Sequence, residues 1–296
     1  SDVDLSTHLV TAEEIEKKIT PKTKAIITVS WNGLSCDMDP IMKLAKKHNL
    51  KVIDDSAQSV LAKYNGKMAG TIADIGVFSF ESRKHITSGG EGGMIVTNDK
   101  ELATKARKFA GIGYRHLSAS AGKTHLASST VQDPTYRRFD TIGYNYRMNP
   151  ITASVLMGQL DRIDEIVNKR KYIGKMFLDA TSGYDWFIPQ YTPSNCEHSY
   201  YTFSVDYYEN EIKFKWKEFY NKYIEMGGDG FYSSPVMPYI EPSLHKKTFG
   251  NTVLDYGLCP IAEGLQKRDM LFKTNYRDVL EAEKKVDILS KLLKSL

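Results

Sequence analysis

The sequence predicts an α/β fold, with a mostly parallel central sheet flanked by helices and a smaller C-terminal α+β domain. Three observations point there. Short β-branched runs alternate with helical patterns through the N-terminal part of the chain, which implies a mostly parallel sheet. Polar residues sit at the carboxyl ends of those strands, where ligands of such sheets collect. Beyond residue 162 the texture changes to long helical patterns and an alternating strand.

Residues 26–29 form a β-branched apolar run, as expected of a buried strand after a short helix. Residues 37–49 come next as a helix: Asp37 or Asp39 can cap it, Pro40 fits its first turn, and Ile41, Leu44 and Ala45 share a face. Residues 51–54, 75–80 and 93–97 supply further strands. The strand ends carry Trp31-Asn32-Gly33, Asp54-Asp55-Ser56 and Ser79-Phe80. Residues 102–109 have a helical pattern, and residues 111–141 are polar and too long for a plain connection. Residues 150–178 read as one long helix. Residues 199–205 alternate like a half-buried strand with Tyr201, Phe203 and Val205 on one face, and residues 279–293 form an amphipathic closing helix. The boundary is placed near Arg162, giving a large unit of residues 1–162 and a small one of residues 163–296.

Bulk properties narrow the function. A length of 296 residues suits one large and one smaller domain. A net charge of +4 helps hold a phosphorylated or carboxylated ligand but gives no argument for nucleic acid. No apolar run approaches the ~20 residues that span a membrane. Cys36, Cys196 and Cys259 fit neither a zinc pattern nor a disulfide framework, so a reducing cytoplasm is expected and no metal site.

Two segments carry chemistry. Asp54 and Asp55 either present a carboxylate at a strand end or cap the next helix. Arg83-Lys84-His85 is either a solvated basic cluster or an amine held between a strand and a glycine-rich turn. The glycines Gly89, Gly90, Gly92 and Gly93 lack the Lys-Ser/Thr of a phosphate loop, and are expected to return the chain tightly into the next strand.

Taken together, Val52-Ile53-Asp54-Asp55-Ser56-Ala57-Gln58 and Asp74-Ile75-Gly76-Val77-Phe78-Ser79-Phe80-Glu81-Ser82-Arg83-Lys84 resemble the sugar aminotransferases of the DegT/DnrJ/EryC1/StrS group. These are pyridoxal-phosphate (PLP) enzymes of the aspartate-aminotransferase fold (PLP fold type I). The resemblance extends to Ile19-Thr20-Pro21-Lys22-Thr23-Lys24-Ala25-Ile26, Gly92-Gly93-Met94-Ile95 and Gly143-Tyr144-Asn145-Tyr146-Arg147-Met148.

The resemblance implies that Lys84 binds the cofactor aldehyde as a Schiff base and later carries the proton. It implies that Asp55 holds the ring nitrogen protonated, which strengthens the ring as an electron sink. It further implies that Ala57 lies against the ring, Gln58 meets the ring oxygen, and Ser79 bonds the phosphate. Asn145 would reach the phosphate of the neighbouring subunit in a homodimer with shared sites. Trp31, His85 and Tyr144 are candidates for substrate contact.

The implied reaction moves an amino group, expected to come from L-glutamate, to a keto sugar in surface polysaccharide (lipopolysaccharide) biosynthesis. The sugar would be a nucleotide-linked keto-deoxy sugar or an oxidised octulosonic acid. The alternatives are PLP-dependent dehydration of a keto sugar, or an inactive partner-binding relative. Lys84 argues against dehydration, since related dehydratases carry histidine there, and Asp55 with Lys84 argues against a scaffold. Three departures stand out. His85 replaces the asparagine common after the lysine, and the run from Ser88 to Gly93 is one small residue longer than the pattern. The glycine-threonine turn that receives the phosphate is not found, so an N-terminal part of the large domain is expected to be missing, leaving one side of the sheet exposed.

Overall fold

A computed structural model of the protein describes residues 1–122 and 125–296. Its larger sheet comprises β1 (Ala25–Val29), β2 (Lys51–Asp55), β3 (Ile75–Ser79) and β4 (Gly93–Val96), in that spatial order. β1, β2 and β3 run parallel and β4 antiparallel, so the mostly parallel sheet expected from the sequence is present. The parallel register sets Val29 beside Asp55 and Asp55 beside Val77, which aligns the carboxyl ends of the strands. Burial follows the pleat. Ile26, Val52 and Asp54 face inward, while Ile27 is 65% and Val29 42% exposed on the opposite face. Helix Met38–Lys47 covers the inner face with Met38, Ile41, Leu44 and Ala45. Asp37 stands at its N-cap position but spends its carboxylate on the Tyr64 hydroxyl at 2.6 Å rather than on the helix.

The second sheet has β5 (Phe187–Pro189), β6 (Thr202–Tyr207) and β7 (Asp269–Lys273), antiparallel, with β6 in the middle. Its core is aromatic. Phe177 stacks on Phe203 at 5.3 Å between centroids, and Phe187 on Phe219 at 5.4 Å. Each such pair adds about 0.5–1.5 kcal/mol beyond the area it buries. The closing helix Val279–Ser295 packs on helix Ile163–Ala180 above this sheet.

Two expectations, on the long helix and on the alternating strand, are corrected. The single helix over residues 150–178 is two helices, Pro150–Leu160 and Ile163–Ala180. Arg162 leaves helical geometry at φ −117°, and Asp164 and Glu165 favour a fresh helix N-terminus just after it. The strand expected to be half-buried is buried along all of Thr202–Tyr207. Helix Ile163–Ala180 lies against it, and so does the turn Trp31–Gly33. The polar segment 111–141 contains a short helix, Ser128–Gln132, while Lys123 and Thr124 lie outside the described residues.

The first residues, expected in the large unit, are tied to the other one. Tyr191 N–H donates to the Ser6 carbonyl at 2.8 Å, and Gln190 Nε2 to that of Thr7 at 2.6 Å. Asp2 accepts the Ile261 and Ala262 N–H groups, both at 2.9 Å, at the start of helix Pro260–Gln266. Among the described residues, no helix is long and apolar enough to cross a membrane.

Candidate active site

The paired aspartates at the end of β2 have opposite fates, because successive strand residues point to opposite faces. Asp54 is fully buried. Its Oδ1 accepts from Thr28 Oγ1 at 3.1 Å and Ser30 Oγ at 3.0 Å, and its Oδ2 from Ser56 Oγ at 2.9 Å and Gly70 N at 2.8 Å. That carboxylate is consumed in joining β1, β2 and the loop after β2. Asp55 is half-buried on the other face and, among the described residues, its side chain accepts only the Ala57 N–H, at 3.1 Å. It turns the chain locally and keeps a free oxygen. Neither aspartate caps a helix.

Gln58 comes next on this turn. Its Oε1 accepts the Asn32 N–H at 2.9 Å, so its amide hydrogens remain to donate. Asn32 sits at φ 61° and sends its side-chain oxygen to the Thr202 hydroxyl at 2.7 Å. Its buried Nδ2 has no hydrogen-bond partner.

Lys84 lies on the loop between β3 and β4. Phe80 N–H donates to Gly92 O at 2.8 Å, and Ser82 N–H to Gly90 O at 2.9 Å, which closes the loop at its base. Gly89 and Gly90 take φ of 88° and 144°, conformations that other residues rarely hold. A side chain on Gly92 would start 2.2 Å from Ser88 Oγ. The glycine cluster is therefore the return turn expected from the sequence. Ser79 Oγ sits at the base of the loop and accepts the Glu81 N–H at 3.3 Å.

The Lys84 side chain is half-buried, with Nζ 5.0 Å from the centroid of the Tyr201 ring. Burial lowers its pKa, and the carboxylates of Glu81 and Asp55 partly oppose that. Asp55 thus acts on the amine electrostatically without bonding to it. The main chain of Lys84 is gripped by Arg170, a buried residue whose NH2 donates to the Lys84 carbonyl at 3.4 Å. Arg170 NH1 also donates to Tyr201 O at 3.1 Å and Thr274 Oγ1 at 3.2 Å. Tyr201, Arg170 and Asn32 were not singled out from the sequence for this site. Only the strand pattern around Tyr201 and the strand-end position of Asn32 hinted at them.

The remaining candidates are placed apart. His85, expected near substrate, turns inward and is 3% exposed, with Nε2 3.1 Å from the Ser199 carbonyl. A carbonyl only accepts, so Nε2 carries the proton. Burial, helped by the Arg170 charge, pushes its pKa down to about 3. The chain turns just before His85, where the Lys84 N–H donates to Glu81 O at 3.0 Å. Trp31 borders a cavity of about 770 Å³ along the outer edge of β1, whose walls include His8, Ile27, Val236 and Asp269 but not Lys84. Tyr144 is exposed and stacks on Tyr146 at 5.5 Å between centroids. Asn145 is exposed on the same segment, its Oδ1 taking Arg147 Nε at 2.9 Å. Neither touches Lys84 within the chain.

The arrangement can hold an aldehyde on a half-buried amine, with a carboxylate near it and amide donors beside it. Comparison with known proteins points the same way. The model of the DegT/DnrJ/EryC1/StrS aminotransferase family matches residues 1–263. A GDP-perosamine synthase of Caulobacter vibrioides is 42% identical over 173 residues, which are 58% of this chain and 42% of that protein. The chain thus matches less than half the length of that relative. The crystal structure of an aminotransferase from Psychrobacter cryohalolentis superposes with a TM-score of 0.84 at 29% identity, covering 100% of this chain and 75% of that one. A GDP-4-keto-6-deoxy-D-mannose-3-dehydratase of E. coli, solved with bound hydrated PLP, has a TM-score of 0.81 at 22% identity, covering 99% and 72%. The latter likeness is one of fold.

Proposed function

The chain belongs to the DegT/DnrJ/EryC1/StrS aminotransferase family, whose cofactor is PLP, and on that premise we propose that it moves an amino group from an amino acid to a keto sugar. The observation that carries this reading is Lys84 itself: an amine, half-buried over Tyr201, with its pKa lowered by burial and Asp55 within electrostatic reach.

The residues present fit the cofactor. Asp55 has a free carboxylate oxygen for a ring nitrogen, and Gln58 has free amide hydrogens for a ring oxygen. Ser79 has a hydroxyl hydrogen left for a phosphate, since its oxygen only accepts in the loop. When bound, PLP supplies an aldehyde that takes up and gives back an amino group, and a ring that accepts electrons. Lys84 would hold it covalently, and the same nitrogen would take and return a proton at the substrate carbon. Burial lowers the pKa of that nitrogen, which eases the transfer. Asp55 would keep a proton on the ring nitrogen, and Ala57 would offer a small surface beside the ring. Arg170 fixes the main chain from which Lys84 reaches.

Lysine at this position favours amino transfer over dehydration of the sugar. A nucleotide-linked keto-deoxy sugar is the proposed acceptor, in keeping with the GDP-perosamine synthase likeness, and an oxidised octulosonic acid is the alternative. L-Glutamate is the proposed donor, in the cytoplasm, in the making of a surface polysaccharide. The proposed division is residues 1–162 for cofactor and 163–296 for the smaller unit. The proposed assembly is a homodimer in which Asn145 serves the partner's site. Supporting it, Ile142, Ile151 and Met157 are 84%, 80% and 65% exposed around helix Pro150–Leu160, an apolar surface that favours a partner.

The test is an assay of the native polypeptide with PLP, L-glutamate and GDP- or UDP-linked 4-keto-6-deoxy sugars. Glutamate-dependent release of 2-oxoglutarate with formation of an amino sugar is expected. Loss of the sugar hydroxyl without an amino product would establish the dehydratase instead.

A further inference from the structure

Two buried carboxylates face each other in the second sheet, and nothing at Lys84 uses them. Asp206 and Asp269 are directly paired across β6 and β7 and are 4% and 2% exposed. Two carboxylates brought together out of water are costly unless a proton or a cation lies between them. His8, 8% exposed, reaches the pair from the N-terminal segment, its backbone in the left-handed region at φ 60°. One donor atom from each of His8, Asp206 and Asp269 lies within 4.8 Å of the others.

We propose that His8, Asp206 and Asp269 form a binding site for a divalent transition metal, with Zn²⁺ as the ion the donor set favours. The contacts seen do not satisfy these groups as an ordinary ion-pair cluster would. His8 Nε2 lies 3.4 Å from Asp206 Oδ2, whereas a charge-assisted hydrogen bond is about 2.7–2.9 Å. Arg268 Nε lies 3.6 Å from Asp206 Oδ1, and neither atom makes a hydrogen bond. Asp206 Oδ1 is therefore a buried carboxylate oxygen without a hydrogen-bond partner. Asp269 is better served, by the hydroxyls of Ser204 at 2.7 Å and Ser234.

The separation itself points to a metal. Bonds of about 2.0–2.2 Å from Zn²⁺ to imidazole nitrogen and carboxylate oxygen put tetrahedral ligands roughly 3.4 Å apart. The 3.4 Å between His8 Nε2 and Asp206 Oδ2 is of that size, and the three donor atoms, within 4.8 Å of one another, would draw closer on the ion. One imidazole and two carboxylates, with no sulfur, suit Zn²⁺, Mn²⁺ or Fe²⁺ rather than Cu⁺. His8, Ser234 and Asp269 also border the cavity of about 770 Å³. The ion would pin the segment around His8 to the second sheet, reinforcing the bonds that Asp2 makes nearby. No spacing motif could show this site, since its ligands come from distant parts of the chain.

The test strips the native polypeptide with a chelator, then titrates it with Co²⁺ and Zn²⁺. One equivalent of Co²⁺ is expected to give the visible absorption of a tetrahedral site, displaced by one equivalent of Zn²⁺. Zn²⁺ should raise the melting temperature of the stripped protein. His8→Gln and Asp206→Asn should each weaken binding at least tenfold and remove the Co²⁺ absorption. His8→Cys, which keeps a donor atom, should retain binding and add a thiolate charge-transfer band that a purely structural histidine would not give. Borohydride labelling of Lys84 should be unchanged in all three, so failure here is distinguishable from failure of the proposed function. Absence of stoichiometric binding by the wild-type protein, or binding unchanged in His8→Gln and Asp206→Asn, would overturn the proposal.

Discussion

The Arg170 guanidinium spans the Lys84 carbonyl, the Tyr201 carbonyl and the Thr274 hydroxyl, so that helix Ile163–Ala180 fixes the loop carrying the amine. Burial lowers the Arg170 pKa to about 10, which still leaves it charged near neutral pH. Arg170→Met leaves buried acceptors unmatched, at about 1–3 kcal/mol each. Arg170→Lys keeps the charge but cannot fork to three oxygens. Both variants should melt earlier, and both should bind PLP to Lys84 less completely. A purely structural role would lower the melting temperature and leave the Lys84 attachment of the folded fraction unchanged.

Asp54 and Asp55 should separate cleanly under substitution. Asp54→Asn turns an acceptor of two hydrogen bonds into a donor facing donors, at a cost of roughly 2–5 kcal/mol. Asp55→Asn keeps an oxygen for the one local bond and should stay within about 1 kcal/mol of the wild type. Urea melts check the first effect. The second variant should show its defect in the absorbance of bound PLP and in turnover, since the ring nitrogen loses its partner.

This contrast shows how far the sequence could be read. Lys84 was legible because its setting is local: a strand, a short loop and glycines that bring the chain straight back. Asp55 was singled out by the resemblance, since position alone left open whether either aspartate caps a helix; the structure shows alternation burying Asp54 and not Asp55. Arg170 and Tyr201 were not legible, because nothing near them in the chain shows that they meet Lys84, and nothing near Thr274 shows that it meets Arg170. Thr202–Tyr207 was misjudged since its second face is covered by a turn far away in sequence. The break at Arg162 hid inside a continuous apolar pattern that either one helix or two would satisfy.

The return turn admits little change. Gly92→Ala would press a methyl group against Ser88, and Gly90→Ala would place a side chain at φ 144°. Each should cost about 1–3 kcal/mol, or displace the loop instead. Thermal melts together with the yield of PLP attached to Lys84 distinguish the two outcomes.

His85 and His198 make stability sensitive to acid. Burial depresses both pKa values to about 3, so the unfolded chain binds more protons than the folded one below its ordinary histidine pKa of 6.5. Stability should therefore fall as pH drops from 6.5 toward 3, by about 1.4 kcal/mol per pH unit for each group. Denaturant melts across that window should show the slope, and His85→Gln should flatten its share of it.

The most direct test of the central claim is borohydride reduction of the native polypeptide with PLP, then peptide mass mapping. A phosphopyridoxyl group on the peptide that contains Lys84, absent in Lys84→Ala, is the predicted result. A colourless protein with no such adduct, or an adduct on another lysine, would contradict the assignment of Lys84 as the cofactor lysine.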